Sequence, residues 1–165
     1  MKKAIYILPI LTFFLFIANR AAAQDYKTAV GLKFGGYENG ISGKYFTSNE
    51  ISLEGVVGFR QNGVVFTGLY EINQVAFNVP QLKFYYGFGG HIGSVSQGTY
   101  RTFSGSDEFY SRPQLLLGGD GTLGLEYAIP QSPIAVSLDL NPRIELATGP
   151  FFDIAPGLGV KYMFK

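Results

Sequence analysis

No cysteine occurs in the chain. That absence removes disulfides, thiolate metal centres, a cysteine nucleophile and a lipid-modified cysteine. Tryptophan is also missing, and histidine occurs once, at His91. Charge is sparse, with 15% of residues charged and a net charge of +1. There is no basic run or patch of the kind that binds phosphate backbones, which argues against a nucleic-acid partner. Beyond the N-terminal segment, no window is long and apolar enough for a transmembrane helix. No repeat, linker or block of like charge divides the 165 residues, so they read as one domain.

What the chain does have is 22 glycines, 15 phenylalanines and 11 tyrosines. That composition favours strands and turns over the Ala, Leu, Glu and Lys mixture of helical proteins. At the N-terminus, Met1-Lys2-Lys3 precedes an apolar run from Ala4 to Ala18, followed by Asn19-Arg20-Ala21-Ala22-Ala23-Gln24. A charged start, an apolar stretch and Ala21-x-Ala23 form a secretory leader over residues 1–23, with the mature domain expected over 24–165. As an uncleaved anchor the run falls short of the about 20 residues that span hydrocarbon. Removing Lys2, Lys3 and Arg20 from the thirteen basic residues leaves ten against twelve acidic ones, a net charge of −2. An exported chain without a transmembrane helix is either soluble or crosses a membrane as a closed barrel.

Period-two patterning runs through eight segments: Thr28–Gly35, Ile41–Phe46, Ile51–Arg60, Val64–Glu71, Leu82–Gly93, Leu115–Ile129, Ile134–Leu140 and Phe152–Phe164. In the fifth, Leu82, Phe84, Tyr86, Phe88 and Ile92 share one face of a pleated chain, while Lys83, Tyr85, Gly87, Gly89 and His91 share the other. The fourth resists assignment, because Val65 and Leu69 share a parity with Glu71 while Val64, Phe66 and Tyr70 share the opposite one. Turn residues separate the segments, with Asn-Gly at Asn39-Gly40 and Asn62-Gly63. Longer connections are expected at 72–80, 94–113 and 141–150.

Alternation alone fits either a soluble lipocalin-like barrel, apolar inside, or a membrane barrel, apolar outside. The polar face decides between them. It consists mostly of Gly, Ala and Ser with scattered ions, which suits a narrow interior better than a water-facing surface. The expected fold is therefore all-β, an eight-stranded antiparallel transmembrane β-barrel. Its candidate lumen ions are Lys33, Lys44, Glu54, Arg60, Lys83, Asp120, Glu126, Asp139, Asp153 and Lys161, five of each sign, with His91 beside them. Balanced charges in a narrow barrel imply pairing, since an unpaired buried ion costs several kcal/mol, and a network across the lumen obstructs a wide pore.

Six stretches carry a family resemblance: Ile41-Ser42-Gly43-Lys44-Tyr45-Phe46, Leu53-Glu54-Gly55, Thr67-Gly68-Leu69-Tyr70-Glu71, Tyr85 to Gly93, Gly124-Leu125-Glu126-Tyr127 and Pro133 to Asp139. In order and spacing they resemble a family of small porin-like outer-membrane β-barrel proteins widespread in Bacteroidota. The resemblance spans most of the mature chain. It implies a location in the cell outer membrane and brings no reaction, cofactor or catalytic residues with it. The ending Val160-Lys161-Tyr162-Met163-Phe164-Lys165 is similar to the strand signal read by the barrel-assembly machinery, with Lys165 following the usual terminal aromatic.

Other constellations are weaker. A Ser-His-acid hydrolase acting on lipid would use His91, but Ser94 lies three positions on and faces the other way. Gly119-Asp120-Gly121-Thr122-Leu123-Gly124 fits a dinucleotide-binding pattern, yet it sits inside a period-two run and opens no helix. Asp107 and Glu108 lack the further oxygen ligands that a metal needs. Tyr100, Phe103, Phe109 and Tyr110 place aromatics in the long connection 94–113, suited to an extracellular partner or to the bilayer rim. The sequence thus points to an outer-membrane barrel with a structural or surface-interaction role, in contact with lipid, with no catalytic site, metal or cofactor expected. A lipid-modifying enzyme and a narrow small-solute channel are the alternatives.

Overall fold

The computed structural model describes residues 26–35, 39–60, 63–100, 108–147 and 151–164. The expected leader, the turn residues 37–38 and 61–62, Phe103, Asp107 and Lys165 lie outside the described residues. Among those described there are strands and turns and no helix. The strands are β1 (Thr28–Gly35), β2 (Asn39–Phe46), β3 (Ile51–Arg60), β4 (Gly63–Val75), β5 (Leu82–Val95), β6 (Gly98–Tyr100), β7 (Glu108–Tyr110), β8 (Gln114–Ala128), β9 (Ile134–Glu145) and β10 (Phe151–Phe164).

Eight of these strands close into an antiparallel barrel in the order β1-β10-β9-β8-β5-β4-β3-β2, and β6 and β7 form a separate hairpin. Each barrel strand pairs with its sequence neighbour except at two places, where β5 meets β8 across the β6–β7 excursion and β1 meets β10 to close the ring. One end of the barrel carries Thr28 and Phe164 together with the turns after β2, β4 and β8. The opposite end carries the β6–β7 hairpin; these are called the terminal end and the loop end below.

Two connections are shorter than the sequence pattern indicates. Strand β4 runs on to Val75, leaving six residues before β5 instead of the expected 72–80 stretch. Ala76 O accepts Val79 N at 2.9 Å and Val79 O accepts Leu82 N at 2.9 Å, with Phe77 and Asn78 at φ 53° and 58°. Two consecutive positive φ values give the mirror-image turn that matches strand twist, and a hydrogen-bonded ladder extends right up to it. Likewise β9 continues through Asn141-Pro142 to Glu145. The strand tolerates Pro142 because its neighbour on β8 is Gly121, where an added Cβ would sit 2.8 Å from the proline ring.

Glycines divide by face. Outward-facing Gly43, Gly55, Gly68, Gly90 and Gly119 lie side by side in register across β2, β3, β4, β5 and β8. A Cβ at Gly43, Gly55, Gly68 or Gly119 would meet nothing within 4 Å. Inward-facing Gly124 is different, being the register partner of Tyr85 on one side and of Asp139 on the other. Tyr85 leans over it to donate its hydroxyl to Asp139 Oδ2 at 2.7 Å. A Cβ on Gly124 would lie 2.7 Å from both the Tyr85 ring and Asp139 Cβ. Covering a glycine with a neighbouring aromatic is a recurrent way to pin strand register.

Gly124→Ala should therefore destabilise the barrel by about 1–3 kcal/mol through overpacking, whereas Gly68→Ala should change stability by less than about 0.5 kcal/mol. Urea midpoints followed by far-ultraviolet circular dichroism compare the two. Equal shifts would contradict the close packing assigned to Gly124.

Candidate functional site

Period-two geometry sends every second side chain of a strand into the lumen, and closure makes those side chains one another's surroundings. The result is a polar interior arranged in layers. At the loop end an apolar layer of Val65, Val95, Tyr110 and Leu116 is buried. Beneath it lies a first ionic layer. His91 sits between two carboxylates, with Nδ1 2.7 Å from Asp120 Oδ2 and Nε2 3.0 Å from Glu145 Oε2. Arg143 Nε donates to Asp120 Oδ1 at 2.6 Å, and Arg143 reaches Thr67 Oγ1 at 3.3 Å. Glu145 Oε1 also accepts the backbone N–H of Leu117 at 2.7 Å, tying β9 to β8 at the strand ends.

Midway down, Asp139 acts as an acceptor hub. It takes Tyr85 Oη at 2.7 Å, Asn141 Nδ2 at 2.6 Å and Lys33 Nζ at 3.4 Å. Toward the terminal end a second ionic layer gathers two ammonium groups and three carboxylates. Lys44 Nζ lies 3.0 Å from Glu71 Oε2 and 3.6 Å from Glu126 Oε2, and Lys161 Nζ lies 2.8 Å from Glu54 Oε1 and 3.6 Å from the same Glu126 oxygen. Neutral donors complete the layer: Ser42 Oγ donates to Glu54 at 2.7 Å, Ser52 Oγ to Glu71 at 3.0 Å, and Tyr26 Oη to Glu126. Lys44 also stands 4.4 Å over the Tyr85 ring, an arrangement in which the ring face attracts the cation.

Of the residues singled out from sequence, Lys33, Lys44, Glu54, His91, Asp120, Glu126, Asp139, Asp153 and Lys161 are buried inside the barrel. Arg60 and Lys83 are half-buried at opposite rims. Lys83 Nζ lies 4.3 Å over Phe46 and 5.4 Å over Tyr26. Asp153 faces inward near the loop end, opposite Arg143 in register, and its Oδ1 accepts the Ile154 N–H at 3.0 Å. Arg60 and Lys83 apart, the structure thus splits these residues between the loop-end and terminal-end parts of the lumen, with Asp139 and Lys33 between them.

Sequence patterning missed Glu71, Arg143, Glu145 and Tyr26. Glu71 shares its parity with Val65, Thr67 and Leu69, all of which point inward, so both faces of β4 are apolar toward the loop end. Arg143 and Glu145 continue the Ser137, Asp139 and Asn141 parity, a signal that Asn141-Pro142 interrupts in the sequence but not in the strand. Tyr26 lies before β1, where periodicity carries no information.

Chemically, the loop-end layer is poor ground for nucleophilic catalysis. Both nitrogens of His91 face carboxylate oxygens, Asp120 and Glu145, so neither is turned toward a hydroxyl that it could activate. Ser94 points outward. Among the described residues no cluster of His, Asp and Glu has the arrangement of a metal site. Five buried polar atoms have no hydrogen-bond partner among the described residues: Glu54 Oε2, Glu71 Oε1, Thr122 Oγ1, Glu126 Oε2 and Ser137 Oγ. No family model matches the chain, and no curated protein matches it.

Removing one member of the terminal-end layer leaves its partners buried without compensation, at a cost of about 3–5 kcal/mol. Lys161→Met should thus lower the urea midpoint strongly. Adding Glu54→Gln to that variant should recover a measurable part of the loss, since it discharges the carboxylate left behind. Additive losses in the double variant would show that the two groups are not coupled.

Proposed function

We propose that this chain is an outer-membrane protein whose barrel crosses the bilayer with a filled, salt-bridged lumen and serves a structural or surface-interaction role. One observation carries the reading: the barrel is inverted relative to a soluble one. At the outward strand positions described there is no charged side chain. Val30, Leu32, Phe34, Ile41, Leu53, Phe59, Phe66, Phe88, Ile92, Leu117, Leu138, Leu140, Ile154 and Leu158 are all exposed there. A soluble monomer rarely shows more than a few hundred Å² of continuous apolar surface, and here the apolar belt runs around the whole ring. A lipocalin-like carrier needs the reverse, with its apolar residues inside.

Secondary features support the same reading. Exposed Tyr45, Tyr86 and Tyr127 ring the terminal end, and exposed Phe34, Phe59 and Phe152 ring the loop end, as in the aromatic girdles of membrane barrels. Turns are short at the terminal end, and the longest excursion rises at the loop end, the asymmetry of outer-membrane barrels with inner turns and outer loops. The leader over 1–23, the C-terminal strand that suits the barrel-assembly machinery, and the resemblance to Bacteroidota porin-like barrels agree with export to the cell outer membrane. Lipid then surrounds the belt, and the β6–β7 hairpin, with Phe109 exposed, is the candidate surface for an extracellular partner. The interior is crossed by ion pairs at two levels and capped by an apolar layer, which opposes ion conduction.

Two measurements test the membrane reading. Folded protein in detergent should migrate differently on a gel before and after boiling; identical migration would count against a membrane barrel. Leu138→Arg puts a charge on the outer face near mid-strand, where Leu138 is 62% exposed. In a bilayer this should cost about 2–4 kcal/mol of folding stability. In a water-facing barrel the same change is nearly neutral, and a neutral result in lipid vesicles would overturn the proposal.

A further inference from the structure

At the terminal end, one half-buried side chain enters the lumen from no barrel strand. Tyr26 precedes β1, yet its phenol crosses the terminal mouth and donates to Glu126 on β8, a contact spanning 100 sequence positions. Its ring stands edge-on to Phe46, at a centroid distance of 5.1 Å and an angle of 85°. It also packs on the small buried layer of Ala29, Ala135 and Met163. Burial, and then the Glu126 carboxylate, push the phenol's pKa up, so Tyr26 remains a neutral donor.

Immediately above this ring lies the layer where Glu54 Oε2, Glu71 Oε1, Glu126 Oε2 and Ser137 Oγ have no hydrogen-bond partner among the described residues. Ser137 is the register partner of Glu126, which puts it on the same stretch of wall. Buried acceptors of this kind are ordinarily satisfied by water. The backbone beside Tyr26 is pinned, since Lys27 N donates to Phe164 O at 3.2 Å and Lys27 O accepts Phe46 N at 2.8 Å. The side chain can therefore swing without opening the barrel.

We propose that Tyr26 is a stopper, closing the terminal mouth of the lumen over a polar chamber that admits water and small hydrophilic solutes only when the ring moves aside. The stopper is held by side-chain contacts alone, the bond to Glu126, the edge-on contact with Phe46, the Lys83 ammonium over its ring and packing on the Ala29, Ala135 and Met163 layer, so its opening is local and independent of strand pairing. It belongs to the barrel itself and holds whether lipid or water surrounds the outer face.

The absence of cysteine supplies the test. Ser137→Cys makes the only thiol in the chain, and because Ser137 Oγ has no partner the exchange sacrifices no hydrogen bond. The full chain, folded in detergent micelles, is exposed to a small cationic methanethiosulfonate, and the rate of thiol modification is measured. With Tyr26 present, modification should be slow. Tyr26→Ala should raise the rate roughly tenfold or more, with an unchanged circular dichroism spectrum. Should that variant fail to fold, Tyr26→Phe decides, because it keeps the ring and loses only the bond to Glu126; the rate should rise roughly fivefold. A rate in the folded variant equal to that of the Tyr26 chain overturns the proposal.

Discussion

The pairing of β1 with β10, Thr28 opposite Phe164 through Gly35 opposite Gly157, is the constraint on which the rest of the structure depends. Closing the ring leaves no barrel strand with an unpaired edge and separates two solvents, the medium outside and the packed interior. Through that closure Lys161 on β10 reaches Glu54 on β3. Other contacts, such as Arg143 with its register partner Asp120, join neighbouring strands and would survive in an open sheet. The narrow circumference also sets the side-chain sizes, so that large inward groups such as Tyr85 and Lys44 are offset by glycines such as Gly124 and Gly157.

Inside, the hydrophobic effect does little of the organising. The buried apolar residues cluster in two thin layers at the ends, Val65, Val95, Tyr110 and Leu116 at one and Ala29, Ala135 and Met163 at the other, with only scattered members such as Val56, Leu69 and Ala155 outside them. Between them the fit is electrostatic. Burying an ion is costly unless geometry and further hydrogen bonds compensate it, and here each carboxylate that meets a lysine is also met by a neutral donor: Ser42 for Glu54, Ser52 for Glu71, Tyr26 for Glu126 and Tyr85 for Asp139. Hydroxyls thus cover part of the desolvation cost that the five lysine–carboxylate contacts alone would leave. Such directional contacts specify register, because slipping one strand by a residue would turn its inward donors and acceptors to the outside.

Much of this was legible from the sequence because a barrel strand repeats with period two wherever one face is polar. Strand β3 is bounded by Ile51 and Arg60 in both readings, and β5 begins at Leu82 in both. Legibility failed where the physical signal changed. In β4 the inward Val65, part of the loop-end apolar layer, and Leu69 are as apolar as the outward residues, so both faces look alike and Glu71 carries no contrast. In β9, Asn141-Pro142 reads as a strand stop on local propensity, and only the glycine across from it on β8 lets the ladder continue to Arg143 and Glu145. That is tertiary context overriding a local preference, and a neighbour in space cannot be read from spacing along the chain.

Tyr26 shows the same limit most clearly, and it changes how the lumen is understood. Strand periodicity accounts for side chains that line a wall; it has nothing to say about one that enters through the mouth. Without Tyr26, Glu126 would face the Lys44 and Lys161 nitrogens at 3.6 Å each, beyond ordinary hydrogen-bond length. With it, the carboxylate shared by Lys44 and Lys161 gains a direct donor, and the terminal-end layer gains a cover. The charged interior is thus completed by a residue outside the barrel strands, so the order of the lumen and the closure of its mouth are one interaction and not two.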